Sequence, residues 1–253
     1  MSIFSIPGGE IYYEEHGSGY PVLLFAPGFL SSRIERWKIN PAKPGMAQDW
    51  LDPISALSGN FRVIALDVRN AGRSRAAIGS TDDWSTYTSD HLGLIDHLGI
   101  TKTHVMGACI GVSFGLAMAK ARPNLVSALV LQNPIGLASG NRDAINSEFN
   151  DWAAQLHGRT DIDPKILRIF QERMFGGDFI FSVSQAFVRE CQIPMLLMPG
   201  DDLMHPSLIS TELARAPKIE IISPWKGPKY RDGAMDRVRD FYMAHKATAL
   251  NGG

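Results

Sequence analysis

The sequence predicts an α/β fold, a mostly parallel, doubly wound sheet of about eight strands with a small helical insertion. Three observations predict it. Short, nearly continuous apolar runs alternate with longer helix-like stretches, one strand runs into a helix through a Gly-x-Cys-x-Gly turn, and the alternation breaks once, over residues 133–191. Runs of this kind, bounded by Gly, Pro and Asp, suit strands buried on both faces.

In chain order, residues 10–15 alternate apolar with polar and read as an antiparallel edge strand. Buried strands follow at 22–26, 62–66, 104–106, 128–131, 195–198 and 219–222, with helices expected at 112–121 and 235–247. The interruption holds two helix-like stretches, 145–156 and 164–174, the second opened by Pro164 in a position suited to a first helical turn. A parallel crossover needs only about a dozen residues. The expectation is therefore a core of 1–132 and 192–253 with a helical cap at 133–191. The cap's Phe149, Trp152, Leu156, Phe170, Phe175, Phe179 and Phe181 suggest a mainly apolar small substrate.

With 253 residues, 45% hydrophobic and 20% charged, the chain can build one large core. A formal net charge of −1 supplies no basic footprint for nucleic acid or an anionic membrane. Residues 1–15 lack a basic stretch followed by an apolar run, and no apolar segment reaches the roughly 20 residues that span a bilayer. The two cysteines, Cys109 and Cys191, form neither a disulfide framework nor a zinc motif. A cytoplasmic protein with a small-molecule substrate and neither cofactor nor metal is expected. Whether it forms a homo-oligomer is left open by the sequence.

The chemistry concentrates in the strand–turn–helix at 103–121. Two boxes overlap there, Gly107-Ala-Cys109-Ile-Gly111 and Gly111-Val-Ser113-Phe-Gly115. Glycines two before and two after a nucleophile permit the strained turn that exposes it beside a helix N-terminus. The strand ends at Gly107, so Cys109 takes the turn and Ser113 falls a turn inside the helix.

These residues resemble the α/β-hydrolase superfamily, and the likeness runs over most of the chain. The opening Gly9-Glu10-Ile11-Tyr12-Tyr13-Glu14-Glu15-His16-Gly17-Ser18-Gly19 resembles the family's first hairpin. Ala26-Pro27-Gly28-Phe29 resembles its turn after the third strand, with Pro27 where histidine is usual. Asp67-Val68-Arg69-Asn70-Ala71-Gly72-Arg73-Ser74 resembles a family turn with a purely structural role, Asn70 replacing a glycine. Pro123 lies fourteen residues beyond Cys109, the spacing the family keeps after its nucleophile. The Gly-x-Cys-x-Gly form itself is similar to dienelactone hydrolases and polyhydroxyalkanoate synthases, whose chains are otherwise different. The resemblance implies an oxyanion hole from the backbone N–H groups of Phe29 and Ile110.

It also implies an acid and a histidine after the nucleophile. Pro199-Gly200-Asp201-Asp202-Leu203-Met204-His205-Pro206 resembles the family's Asp-x-x-x-Pro segment, which marks Asp202, with Asp201 as the neighbouring alternative. The family's histidine loop here reads Ser223-Pro224-Trp225-Lys226-Gly227-Pro228 and contains none. His205, three residues past Asp202, is one replacement. Lys226, near the vacant place, is another, as a fixed cation or a desolvated base. The third alternative is a site without nucleophilic turnover. Trp225 and Lys226 are expected to contact substrate. His16, His91, His97, His104, His157 and His245 are expected to be surface or core residues. An ester, lactone or thioester hydrolase is the leading expectation. A carbon–carbon bond hydrolase, lyase or isomerase, or a non-catalytic binding protein, stands beside it.

Overall fold

The computed structural model describes residues 2–39, 48 and 50–246. Its strands are β1 (Ser2–Ile6), β2 (Gly9–His16), β3 (Tyr20–Phe25), β4 (Phe61–Leu66), β5 (Arg75–Ala76), β6 (Thr103–Ala108), β7 (Val126–Gln132), β8 (Met195–Met198) and β9 (Ile219–Ile221). They form one sheet ordered β1-β2-β4-β3-β6-β7-β8-β9, with β5 paired to β2. From β4 to β9 every pairing is parallel, whereas β2 runs antiparallel to β1, β4 and β5. The nine strands exceed the expected eight or so because β1 and the two-residue β5 had no apolar run to announce them. Residues 10–15 were expected at an edge. The edge is β1, and β2 lies inside it.

The helices are α1 (Pro53–Leu57), α2 (Trp84–His97), α3 (Ile110–Ala121), α4 (Arg142–Ala154), α5 (Pro164–Phe175), α6 (Gln185–Glu190), α7 (Ser207–Leu213) and α8 (Arg231–Ala244). The helix expected to end at Ala247 stops at Ala244, and Ala247 itself lies outside the described residues. Strand alternation divides the core in two. Leu23, Phe25, Val105 and Leu129 pack with Leu94, Phe114 and Met118 of α2 and α3. Val22, Leu24, Met106 and Val130 pack on the other face with Ile54 and Leu57 of α1 and Val238, Phe241 and Tyr242 of α8.

Because the central strands are parallel, their carboxyl ends share one edge of the sheet, and the loops after β3, β6, β7 and β8 gather there. This is the edge at which open α/β sheets bind ligands. The segment between β7 and β8 carries α4, α5 and α6. Its aromatic residues turn inward: Phe149, Trp152, Phe170, Phe175 and Phe179 are each at most 3% exposed. Phe175 stacks on Phe29 with centroids 4.3 Å apart, and Trp84 Nε1 donates to the Met174 carbonyl at 2.7 Å. Among the described residues no helix is long and apolar enough to cross a membrane.

Candidate active site

Cys109 stands between β6 and α3 with φ 56° and ψ −118°. That left-handed strain is held because the surroundings leave no alternative. Its N–H donates to the Gln132 carbonyl at 3.0 Å, which pins the turn to β7. A side chain on Gly107 would meet the Gly111 carbonyl oxygen at 2.1 Å, and one on Gly111 would meet that of Phe25 at 2.2 Å. Both glycines are therefore required by close backbone approach. Ser113, by contrast, is fully buried within α3.

His205 and Asp202 both sit on the loop between β8 and α7. Nδ1 of His205 lies 2.7 Å and 2.9 Å from the two Asp202 carboxylate oxygens. Asp202 Oδ1 also accepts the N–H groups of Met204 and His205, at 3.0 Å and 2.9 Å. The loop thus folds around its own aspartate, a local pattern that Asp favours outside helices. Nε2 of His205 is buried without a nitrogen or oxygen partner, and the Cys109 thiol is the group it couples to.

Charge sets the resting state. Burial pushes the Cys109 thiol up, yet the charge and hydrogen bond of His205, with the N–H groups of Gly28 and Ile110, outweigh it and leave the thiol below its ordinary value. Burial pulls His205 down, but Cys109 and Asp202 together raise it to about 9. The hydrogen bond from His205 draws Asp202 down to about 2 against its own burial. The arrangement favours a thiolate–imidazolium pair, the ionic form in which a cysteine is nucleophilic.

Phe29 opens a 3-10 turn at Phe29–Ser31 and Ile110 opens α3. The first N–H groups of a helix have no partner within it, so both positions leave an N–H for other partners, and that of Ile110 interacts with the Cys109 thiol. Gly28 adds a third N–H that sequence reasoning missed, its left-handed φ of 114° turning the backbone toward Cys109.

A cavity of about 310 Å³ opens over the thiol, walled by Gly28, Phe29, Trp50, Ile135, Met204 and His205, with Gln48, Asn133, Glu148 and Lys226 among its polar residues. The seven aromatic and aliphatic residues of 133–191 expected to face substrate are absent from this wall, because they pack α4 and α5 onto the core. Trp225 is also absent from it. It is 3% exposed and donates Nε1 to the Pro199 carbonyl at 2.9 Å, while Trp50, 6.0 Å away ring to ring, takes the wall position. Lys226 reaches the wall but pairs with Asp201 at 2.7 Å.

The remaining histidines lie elsewhere. His91 is buried against Phe25 and Phe114, and burial, with Arg69 nearby, lowers it to about 3. His104 stacks on Tyr242 and packs at a tilt against Tyr20 at the start of β6, where His245 is its neighbour, at the far end of the sheet from Cys109. His16 pairs with Glu14, His97 contacts Phe4, and His157 is exposed. Among the described residues no group of three or more His, Cys, Asp or Glu could hold a metal ion.

The fold agrees with what comparison finds. A protein named as a carbamate hydrolase, RutD, of Agrobacterium fabrum is 35% identical over 89 residues, covering 35% of this chain and 34% of that protein. The dihydrolipoyllysine-residue acetyltransferase component of an acetoin cleaving system, from Pseudomonas putida, is 32% identical over 167 residues, or 65% of this chain and 40% of that one. The matches thus span well under half the length of these curated relatives. Among solved structures, the meta-cleavage product hydrolase CumD of Pseudomonas fluorescens is similar with a TM-score of 0.67 at 19% identity, covering 96% of this chain and 98% of that one, a likeness of fold alone. A sequence profile of the alpha/beta hydrolase fold matches residues 21–170, which is more than half of the chain and contains both the turn after β3 and the elbow. With its strand order, its glycine-flanked elbow and that profile in agreement, the chain belongs to the alpha/beta hydrolase family.

Proposed function

We propose that the protein is a hydrolase of a small ester, lactone or thioester that works through a cysteine nucleophile. The observation that carries this reading is the coupling of Cys109, at the strained elbow, to His205 held by Asp202. The Cys109 thiolate attacks the acyl carbon. The N–H groups of Ile110 and Phe29, with Gly28 adjoining, stabilise the oxyanion, a contribution of ~10²–10³ in rate per donor in comparable sites. As the tetrahedral adduct collapses, the His205 imidazolium gives its proton to the leaving oxygen or sulfur. The neutral imidazole then takes a proton from water as that water attacks the acyl-cysteine. Collapse of the second adduct releases the acid and restores the thiolate–imidazolium pair.

In this reading 133–191 is a cap over a core of 1–132 and 192–253, and Lys226 supports the His205 loop through Asp201 instead of acting as the base. The names of the curated relatives, a carbamate hydrolase and an acetyltransferase component, suit acyl chemistry on such a scaffold.

The test is intact-mass spectrometry after incubation with small activated esters and thioesters. Wild type is expected to gain an acyl adduct that turns over. Cys109→Ala should gain none, and His205→Ala should acylate slowly and retain whatever adduct it forms. Hydrolysis that continues unchanged in Cys109→Ala would remove the nucleophile from the mechanism.

A further inference from the structure

Two consecutive residues of the turn after β3 have left-handed backbone, Gly28 at φ 114° and Phe29 at φ 55°. Glycine adopts that conformation freely, whereas a bulky aromatic residue keeps it only where its surroundings hold it there. The ends of the turn are tied through Ser32. Its hydroxyl donates to the Ala26 carbonyl at 2.6 Å, and its carbonyl accepts the Val68 N–H at 3.1 Å. Between those ends lie the N–H of Gly28, which interacts with the Cys109 thiol, and the N–H of Phe29.

The ring of Phe29 is clamped from the segment between β7 and β8. Phe175, the last residue of α5, stacks on it with centroids 4.3 Å apart and planes 21° apart. Phe175 is itself backed, because Phe181, Trp84 and Phe149 meet its ring edge to face at 5.2, 6.2 and 6.2 Å. Its backbone is fixed as well. Trp84 Nε1 donates to the Met174 carbonyl at 2.7 Å, and the Arg142 guanidinium donates to the carbonyl of Phe175. A smaller contact comes from α4, where Gln155 Nε2 donates to the Ser31 hydroxyl at 3.3 Å. Phe29 lies on the cavity wall, whereas Phe175 is 2% exposed and absent from it. Any influence of Phe175 on the chemistry therefore passes through Phe29.

We propose that Phe175 is a positioning residue for acyl transfer: its stack on Phe29 holds the left-handed turn so that the N–H groups of Gly28 and Phe29 face the oxyanion. This rests on the acyl-transfer reading and adds to it a residue that touches no substrate. Oxyanion donors act at ~2.7–3.1 Å from the developing charge, and a misplacement of about 1 Å can cost ~10²-fold in rate.

Two reactions of the same thiol separate this role from a general loss of packing. Acetyl transfer from S-phenyl thioacetate passes through an oxyanion. Alkylation by iodoacetamide displaces iodide from a tetrahedral carbon, forms no oxyanion, and so reports the thiolate alone. That thiolate is set chiefly by His205, with Gly28 a lesser influence. Both rates are measured at Cys109 by peptide mass for wild type, Phe175→Leu, the less disruptive Phe175→Met, and Phe170→Leu as the packing control, with thermal unfolding to show that each is folded. Phe170, also on α5, is 1% exposed and packs on Tyr87, Phe149 and Trp152. In the Phe175 variants acylation should slow by ~10- to 100-fold while alkylation changes by less than about threefold. Phe170→Leu should keep the wild-type ratio of the two rates. An unchanged ratio in either folded Phe175 variant, or a ratio that falls as far in Phe170→Leu, would overturn the proposal and leave Cys109 the nucleophile. Wild type that is alkylated at Cys109 but never acylated there would overturn the acyl-transfer reading and this proposal with it.

Discussion

Replacing His205 by glutamine tests the ionic state of the site directly. The imidazole supplies the two largest of the influences that lower the Cys109 thiol, its charge and its hydrogen bond. Without them, burial, the strongest influence of all, is opposed only by the N–H groups of Gly28 and Ile110. The thiol should then return to its ordinary 9.0 or rise above it. A thiol with a pKa near 9 is only about 1% thiolate at pH 7. Since the thiolate is the reacting species, alkylation at pH 7 should slow by ~10- to 100-fold. The assay is the rate of iodoacetamide modification from about pH 5 to about pH 10, read by peptide mass so that Cys109 is separated from the buried Cys191. Wild type should show a midpoint below 9.0 and His205→Gln one at or above it. Equal midpoints in two folded proteins would refute the thiolate–imidazolium pair.

Three further outcomes follow from the same geometry. Gly111→Ala places a methyl 2.2 Å from the Phe25 carbonyl oxygen and should cost about 3 kcal/mol in urea unfolding, whereas Gly59→Ala, which meets nothing within 4 Å, should be close to neutral. The His205 pKa rises from 6.5 to about 9 on folding, so its contribution to stability is complete below 6.5 and is lost as pH rises through 9. The stability difference between wild type and His205→Gln should therefore shrink across that interval in urea titrations under reducing conditions. Trp225→Phe removes the N–H that binds the Pro199 carbonyl and should cost about 1 kcal/mol, with a fall in kcat larger than any change in KM when the acyl-transfer assay is run.

The parallel core was legible because its strands are buried on both faces and leave continuous apolar runs, as at Val22 to Phe25 and Ala128 to Leu131. β1 was not legible, since alternate residues of Ser2–Ile6 stay partly exposed, and β5 is too short for any pattern. The place of Cys109 at the turn, with Ser113 inside the helix, was legible from spacing although β6 runs one residue past Gly107, to Ala108. The substrate-facing wall could not be read. Phe149, Trp152 and Phe170 have the composition of a binding surface and the burial of a core, and hydrophobicity alone does not separate the two. Asn133, Glu148 and Trp50 reach the cavity through loop and helix geometry for which the sequence offers no periodicity.

The loop that lacks the family's histidine is bound to the loop that carries one. Trp225 holds the backbone at Pro199 and Lys226 holds the side chain of Asp201, so both attachments fall just ahead of Asp202 and His205. The exposed Lys226–Asp201 pair is worth little, in the range of ~0–1 kcal/mol, while the Trp225 bond is largely buried and carries more of the restraint. Placing Asp202 and His205 three residues apart on one loop has a physical consequence. In a triad assembled from two loops, each must be held separately for the imidazole to point at the nucleophile. Here Asp202 accepts the ring nitrogen and the N–H of the same residue, so the orientation of His205 relative to its acid is set locally. What the rest of the fold must supply is the distance from that unit to Cys109. The Trp225 bond to Pro199 contributes to it, together with the Ser210 hydroxyl that accepts the Gly200 N–H and the Asn141 amide that donates to the Leu203 carbonyl, so a loop without a histidine still helps to place His205.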